Sequence, residues 1–307
     1  MPTCEHGVYL KLSIQTPRTH YPIQTTWTEI EERRRVWWAI FILDRLVATG
    51  SKRPCVLPEP TQECRLPSDD TVWDSGQMMR AVGQAITTPY QVAQSSYARL
   101  CQAAVYLGRA LNHARNPQLL MNMSRITEVK TLVDELGGFN AVVDAAAGEI
   151  MPDQADKSSF IALLGPRCVA RSAVFVALEQ FSCPEKMTSG IGYDMSSTAK
   201  SQLELELQSY ATQCVQLIAE QLHGLAMKIL SVSDQLGTIS PLILDSIYAS
   251  AVTFHWILGE TGTEIYRTAV EELDTFMEVV DRRWRSAGRY REIARLYDIS
   301  TRLRASS

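Results

Sequence analysis

The sequence has no C-x-x-C pair and no excess of positive charge, and each gap excludes something different. Its seven cysteines, Cys4, Cys55, Cys64, Cys101, Cys168, Cys183 and Cys214, are scattered singly. That is the pattern of reduced thiols in a cytosolic or nuclear compartment. Cys55 and Cys64 are near neighbours, but no histidine or further cysteine stands beside them to complete four metal ligands. With 30 Lys+Arg against 34 Asp+Glu, the formal net charge is -4. The chain therefore lacks the overall positive field with which proteins find nucleic-acid phosphates, and any contact with DNA is expected to fall to another part of the protein. Met1 to Gln15 contains no apolar block of secretory type, and Arg35 and Asp44 close the hydrophobic run from Val36 to Leu43. That run is far shorter than the roughly 18 residues of a membrane span. The expectation is a soluble, intracellular chain with no membrane partner.

Chemistry-bearing motifs are also missing. There is no G-x-x-x-x-G-K-[ST], no G-x-G-x-x-G, no G-x-S-x-G elbow and no H-E-x-x-H pair, and the five histidines lie far apart. Asp69-Asp70 is the one acidic pair to weigh, because helical enzymes that ionise isoprenoid diphosphates hold magnesium on clustered aspartates. Thr71, Val72 and Trp73 follow it, so the third carboxylate is absent. Placed after Pro67, Ser68, Asp69 and Asp70 suit the capping of the next helix. No catalytic residue, no metal ligand and no cofactor within the chain is predicted.

What is present is a globular composition, 46% hydrophobic and 21% charged, with apolar residues recurring at helical spacing through most of the length. The prediction is an all-α fold: one large irregular helical domain with an extended Pro-rich loop at about residues 50–74, marked by Pro54, Pro58, Pro60 and Pro67. Further helices are predicted over 77–114, 122–147, 157–182, 197–232, 240–259 and 262–303. Asn116-Pro117, Gly148 to Pro152, Pro184 to Gly192 and Gly259 to Gly262 mark breaks between them, and Ser240-Pro241 is a start signal. The Ser-, Thr- and Gly-rich stretch Met187 to Ala199 reads as a mobile loop.

In the segment after Glu31, Val36, Ile40, Leu43 and Val47 follow a three-four pattern, while Trp37, Trp38, Phe41 and Ile42 fill other faces. The pattern predicts a helix buried nearly all round. Asp44 and Arg45 end a run too apolar to be exposed, so each needs a partner. The candidates are backbone groups of the loop after Gly50, or Arg53, Asp69 and Asp70. The reading is a polar clasp that fixes loop to helix; a ligand-binding role for the same groups stays open. From Arg282 to Arg304, eight arginines form the wet side of a predicted helix whose apolar face carries Val280, Trp284, Ala287, Ile293, Ala294 and Tyr297.

The order Glu31, Arg33, Arg34, Trp37, Trp38, then Asp44-Arg45, then Arg53-Pro54, then Leu66-Pro67-Ser68-Asp69-Asp70 and Trp73 resembles the fungal-specific transcription factor domain. That domain is the middle homology region of binuclear zinc cluster transcriptional regulators. Looser resemblance continues through Tyr97 to Leu111, Ala170 to Glu185, and Arg282-Arg283-Trp284 with Ala287-Gly288 and Tyr290. The resemblance implies that residues 28–307 are the C-terminal part of the regulatory domain, behind an N-terminal remnant, 1–27, that is partly irregular. It implies no enzyme activity, a nuclear location, and the transcription machinery as partner. It further implies homo- or heterodimers and a small-molecule effector whose binding residues are unknown. DNA and zinc binding are assigned to the family's N-terminal six-cysteine cluster, which does not occur in these residues. Two other readings compete: a stand-alone helical effector- or partner-binding module without DNA binding, and, ranked last, a helical isoprenoid-type enzyme.

Overall fold

The computed structural model describes residues 26–51, 53–76, 83–115, 123–148, 157–182, 202–231 and 237–305, side chains at 123, 203–204 and 297–305 excepted. Most of the 1–27 segment, Cys183-Pro184-Glu185, the 187–199 stretch, Asn116-Pro117 and the side chains of Tyr297, Arg302 and Arg304 lie outside them. The fold is all-α. Among the described residues the extended backbone pairs in one place, an isolated antiparallel bridge between Arg65 and Ala85.

Helix α1 (Trp27–Ser51) starts where Thr26 and Glu29 exchange bonds. The Thr26 N–H donates to Glu29 Oε2 at 2.9 Å and the Glu29 N–H to Thr26 Oγ1 at 3.3 Å. This reciprocal capping box satisfies donors that a helix start leaves open. The prolines then hold the chain extended as far as α2 (Asp70–Asp74), and a second irregular stretch leads to α3 (Ser96–Arg115).

That second stretch corrects the helix expected over 77–114. Residues 83–95 are irregular because their backbone is claimed elsewhere. Leu66 N–H donates to Gln84 O at 2.8 Å, Ile86 N–H to Cys64 O at 2.9 Å, and Arg99 on α3 donates to Tyr90 O and Val92 O at 2.7 and 3.0 Å. Gly83 lies so close to the loop that a Cβ built on it would fall 1.9 Å from Leu66 O. Gly83→Ala is therefore expected to cost about 1–3 kcal/mol by overpacking against backbone that cannot turn aside. Urea denaturation would show it as a lower midpoint at unchanged slope.

The remaining helices are α4 (Met123–Ala147), α5 (Ser158–Ser182), α6 (Gln202–Ser231), a 3-10 turn (Pro241–Ile243), α7 (Leu244–Thr261), α8 (Glu264–Asp281) and α9 (Arg285–Ala305). Helix α5 is the axis of the fold and packs against α3, α4, α6 and α7. Leu164, Cys168, Val169, Ala173, Ala177 and Phe181 are all within its main core. Helix α5 and the stretch Pro241–Thr261 are long and apolar enough to cross a membrane, and both spend that apolarity on one another and their neighbours. Gly262, at φ 64°, ends α7 in the left-handed conformation that glycine adopts without strain.

The helix predicted over 262–303 is two helices. Val280 O accepts the N–H groups of both Arg283 and Trp284, at 3.0 and 2.9 Å, and Trp284 Nε1 donates to Ile239 O at 2.8 Å. The Gly288 N–H then donates to Asp281 Oδ1 at 3.2 Å, and a Cβ on Gly288 would meet that oxygen at 2.6 Å. Val280 thus belongs to a different helix from Ala287 and Ala294, and Ile293 is exposed. Helix α1 also departs from expectation. It buries Trp38, Phe41, Ile42, Arg45 and Ala48 against the loop and α3, but Val36, Leu43 and Val47 are 43%, 54% and 64% exposed. Among the described residues no element covers that row, so α1 is buried on one side only.

Cys55, Cys101, Cys168 and Cys214 are free thiols. Burial pushes the pKa of each one up, which keeps them as protonated thiols.

Candidate functional site

The signature residues converge around the first turns of α1. Glu31 is fully buried, and its carboxylate accepts from Arg34 Nη1, from Arg35 Nε at 3.3 Å and from the Ser68 N–H at 2.8 Å. The helical spacing makes this hub, since residues three and four apart share a face. Arg35 extends it: its Nη2 donates to Ser68 O and to Asp70 Oδ1, each at 3.0 Å, while the guanidinium lies 5.0 Å from the ring centre of Trp73 and 5.4 Å from that of Tyr97. The Tyr97 hydroxyl donates to Arg35 O at 2.7 Å, and burial raises its pKa, so the proton stays in place.

Asp69 and Asp70 divide the capping work. Asp69 Oδ1 accepts the Thr71 N–H at 2.9 Å at the start of α2, and bonds with Thr71 hold its carboxyl below the usual range. Asp70 Oδ2 accepts from Ser96 Oγ and the Tyr97 N–H, both at 3.1 Å, at the start of α3. Both oxygens of Asp70 are thus engaged, and a metal ion there would have to displace an arginine and two further donors. Asp69→Ala should remove about 1 kcal/mol by loss of the cap, read as a lower melting temperature.

Further along α1, Asp44 accepts the N–H groups of Val56 and Leu57 at 3.0 and 3.1 Å and pairs with Arg45. Arg45 lies over the Phe41 ring at 3.8 Å. Its guanidinium fits beside α3 because position 108 is glycine, where a Cβ would stand 3.0 Å from Arg45 Nε. Trp38 donates from Nε1 to Arg65 O at 2.9 Å, Trp37 stacks on Phe41, and Leu66 and Pro67 are buried beneath the loop. Arg53 and Pro54 are exposed; Arg53 joins the assembly through its carbonyl, which accepts from Arg115, as does Ala48 O. Arg33 is half-buried. The structure therefore gathers Glu31, Arg34, Trp38, Asp44, Arg45, Leu66, Pro67, Asp70 and Trp73 into one clasp. It adds Arg35, Ser68, Tyr97 and Arg115, whose roles the sequence pattern did not disclose. Arg35 was hidden as the third of three consecutive arginines, though its i,i+4 spacing from Glu31 was a usable signal.

A second polar assembly lies at the other end of the chain. Asp274 on α8 receives two forked guanidiniums from α9: Arg291 at 2.8 and 2.8 Å, and Arg295 at 3.1 and 2.9 Å. Arg291 also donates to Glu278 at 2.6 Å. Burial alone would raise the Asp274 pKa, but the bonds from Arg291 and Arg295 outweigh it and hold it below its ordinary 3.8. A carboxyl depressed by folding stabilises the fold fully above its unfolded pKa, and the contribution fades as pH falls through the folded value. The melting-temperature gap between wild type and Asp274→Asn should therefore be open at pH 7 and narrow below about pH 4; a gap that stayed constant to pH 3 would contradict the assignment. Beside this cluster α7, α8 and α9 enclose a cavity of about 360 Å³, with Ala251, Leu273, Met277 and Ala294 on its walls and Arg267 and Arg295 among its polar groups.

Residues 6–127 match the family model described as the fungal specific transcription factor domain. The chain is 33% identical over 96 residues to the sorbicillinoid biosynthetic cluster transcription factor 1 of Penicillium rubens, covering 30% of this chain and 16% of that protein. It is 43% identical over 47 residues to the arabinolytic transcriptional activator araR of Emericella nidulans, covering 15% of this chain and 6% of that protein. The matches thus span about a sixth or less of those relatives' lengths. No solved structure matches.

Proposed function

We propose that this chain, whose residues 6–127 match the fungal specific transcription factor domain, is the regulatory domain of a nuclear, sequence-specific regulator of RNA polymerase II transcription. The observation that carries the reading is the clasp itself. The matched segment contains the whole Glu31 to Trp73 assembly, in which Glu31, Arg35, Asp44 and Asp70 join α1, the loop and α3. The domain is therefore recognised by its scaffold. DNA and zinc binding are assigned to a six-cysteine cluster in another part of the regulator, in keeping with the net charge of -4. The transcription machinery, a dimer partner and a small-molecule effector are the partners this role calls for. Sequencing the transcript in its natural genome tests the reading. An in-frame cluster joined to these residues is the expected result, and a verified full-length transcript without one would overturn the assignment of DNA binding.

A second reading, a helical partner-binding module without its own DNA reader, draws on the exposed row Val36, Leu43 and Val47 along α1. It predicts that the chain co-purifies with a cluster-bearing protein and that Leu43→Asp abolishes the association.

A further inference from the structure

We propose that the cavity between α7, α8 and α9 binds a small amphipathic monocarboxylic acid, aromatic or medium-chain, with its hydrocarbon body against Ala251, Leu273, Met277 and Ala294 and its carboxylate at Arg295. The inference deepens the regulatory reading and rests on that reading only for its consequence in the cell, because binding is measurable by itself.

At about 360 Å³ the cavity is of ligand-binding size, and its walls are of two kinds. Leu273 and Met277 on α8 and alanines on the two flanking helices make an apolar floor. The alanines matter, since larger side chains at 251 and 294 would occupy the space. The polar side is set by an alternating chain of charges, Glu278, Arg291, Asp274 and Arg295, which sums to zero but is not symmetric. Arg291 is held by a carboxylate on each side. Arg295 stands at the open end and gives Nε and Nη2 to an Asp274 that Arg291 already neutralises with its own fork. Of its five N–H donors, those on Nη1 are turned to neither Asp274 oxygen, and its side chain is 58% exposed.

A planar guanidinium with donors to spare at the edge of an apolar floor matches a carboxylate joined to a hydrocarbon. An uncharged ligand would leave the spare donors of Arg295 unused. Glu271 lines the same cavity and opposes a second negative charge, which favours a monocarboxylate over a phosphate ester. Tyr290 supplies a further donor. It lines the cavity, and burial pushes the pKa of its hydroxyl up to about 12, so the hydroxyl keeps its proton and can donate it in a hydrogen bond to a ligand carbonyl or hydroxyl group.

The test is calorimetric titration of the full chain with trans-cinnamate and octanoate, against cinnamyl alcohol and octan-1-ol as uncharged counterparts and phenyl phosphate as the dianion. Saturable binding of at least one acid is expected, with its alcohol and the dianion weaker by about tenfold or more, as befits a lost charge-assisted contact. Ala294→Phe should abolish binding and Arg295→Gln should weaken it to the level of the alcohol. Should Ala294→Phe not fold, the Met277 methyl resonance of the wild type must shift on adding the acid and not on adding the alcohol. Absence of saturable binding by both acids at millimolar concentration overturns the proposal. So does binding indifferent to the carboxylate, or binding that survives both substitutions. Acid binding without any effect on a tethered reporter would instead count against the regulatory reading, and regulation without acid binding would sink the ligand proposal alone.

Discussion

Trp38→Ala is expected to lower the stability of the domain by about 3–5 kcal/mol, the range for emptying a large aromatic site in a packed core. The indole is 1% exposed, its ring meets those of Trp37 and Phe41 edge-on at 5.0 and 5.4 Å, and its Nε1 holds Arg65 O. Truncation therefore opens a cavity in the smaller core and also releases the carbonyl that anchors the loop beside the Arg65–Ala85 bridge. Two separate losses at one residue explain why the effect should lie near the top of the range for single substitutions. Thermal and urea denaturation would measure it. A melting temperature within a degree or two of wild type would mean that the indole is not enclosed in solution.

Glu31→Ala should be comparably severe, at about 3–5 kcal/mol, but for an electrostatic reason. The carboxylate is fully buried and answers two arginines and a backbone N–H. Its removal leaves Arg34, whose side chain is 7% exposed, without its counter-charge in a site that water cannot reach. The clasp is already short of partners, since Arg34 Nε and Ser68 Oγ have none among the described residues. Glu31→Gln keeps the shape and one acceptor, and should lose less. The double variant Glu31→Ala, Arg34→Met should recover part of the loss, because removing both charges avoids leaving one buried alone. If the double variant were as unstable as the sum of the singles, the pair would not be coupled and the clasp would be misassigned.

These residues also show what could be read from the sequence. The all-helical class was legible because apolar spacing repeats over long segments, and the Pro-rich loop because proline at 54, 58, 60 and 67 forbids a continuous helix. The helix expected over 77–114 failed over residues 83–95 because hydrogen bonds from Leu66, Ile86 and Arg99 hold them out of a helix, and such tertiary bonds leave no local trace. The break between α8 and α9 failed for a related reason. Arg282 to Trp284 contain no proline or glycine, and the interruption is fixed by Trp284 reaching Ile239 and Asp281 reaching Gly288.

The clasp was half legible. A buried Asp44-Arg45 pair demanded partners, but Arg35 and Tyr97 meet across 62 residues, a distance over which spacing carries no information. Helix α1 was read as enclosed because its residues are apolar on every side, and composition alone cannot say which faces meet a neighbour. The cavity was invisible in sequence, since it exists through the small size of Ala251 and Ala294 on separate helices.

On the proposed function, the clasp builds a scaffold whose output is regulation of transcription. The direct measurement joins the full chain to a heterologous DNA-binding domain above a reporter gene in a fungal cell, with protein level and nuclear location monitored. The wild-type fusion is expected to change reporter output relative to the DNA-binding domain alone. Asp69→Ala, which costs only a helix cap, should keep that effect, while Trp38→Ala should lose it together with the folded protein. A folded, nuclear wild-type fusion that leaves the reporter unmoved would contradict it, as would a Trp38→Ala variant that regulates normally after unfolding.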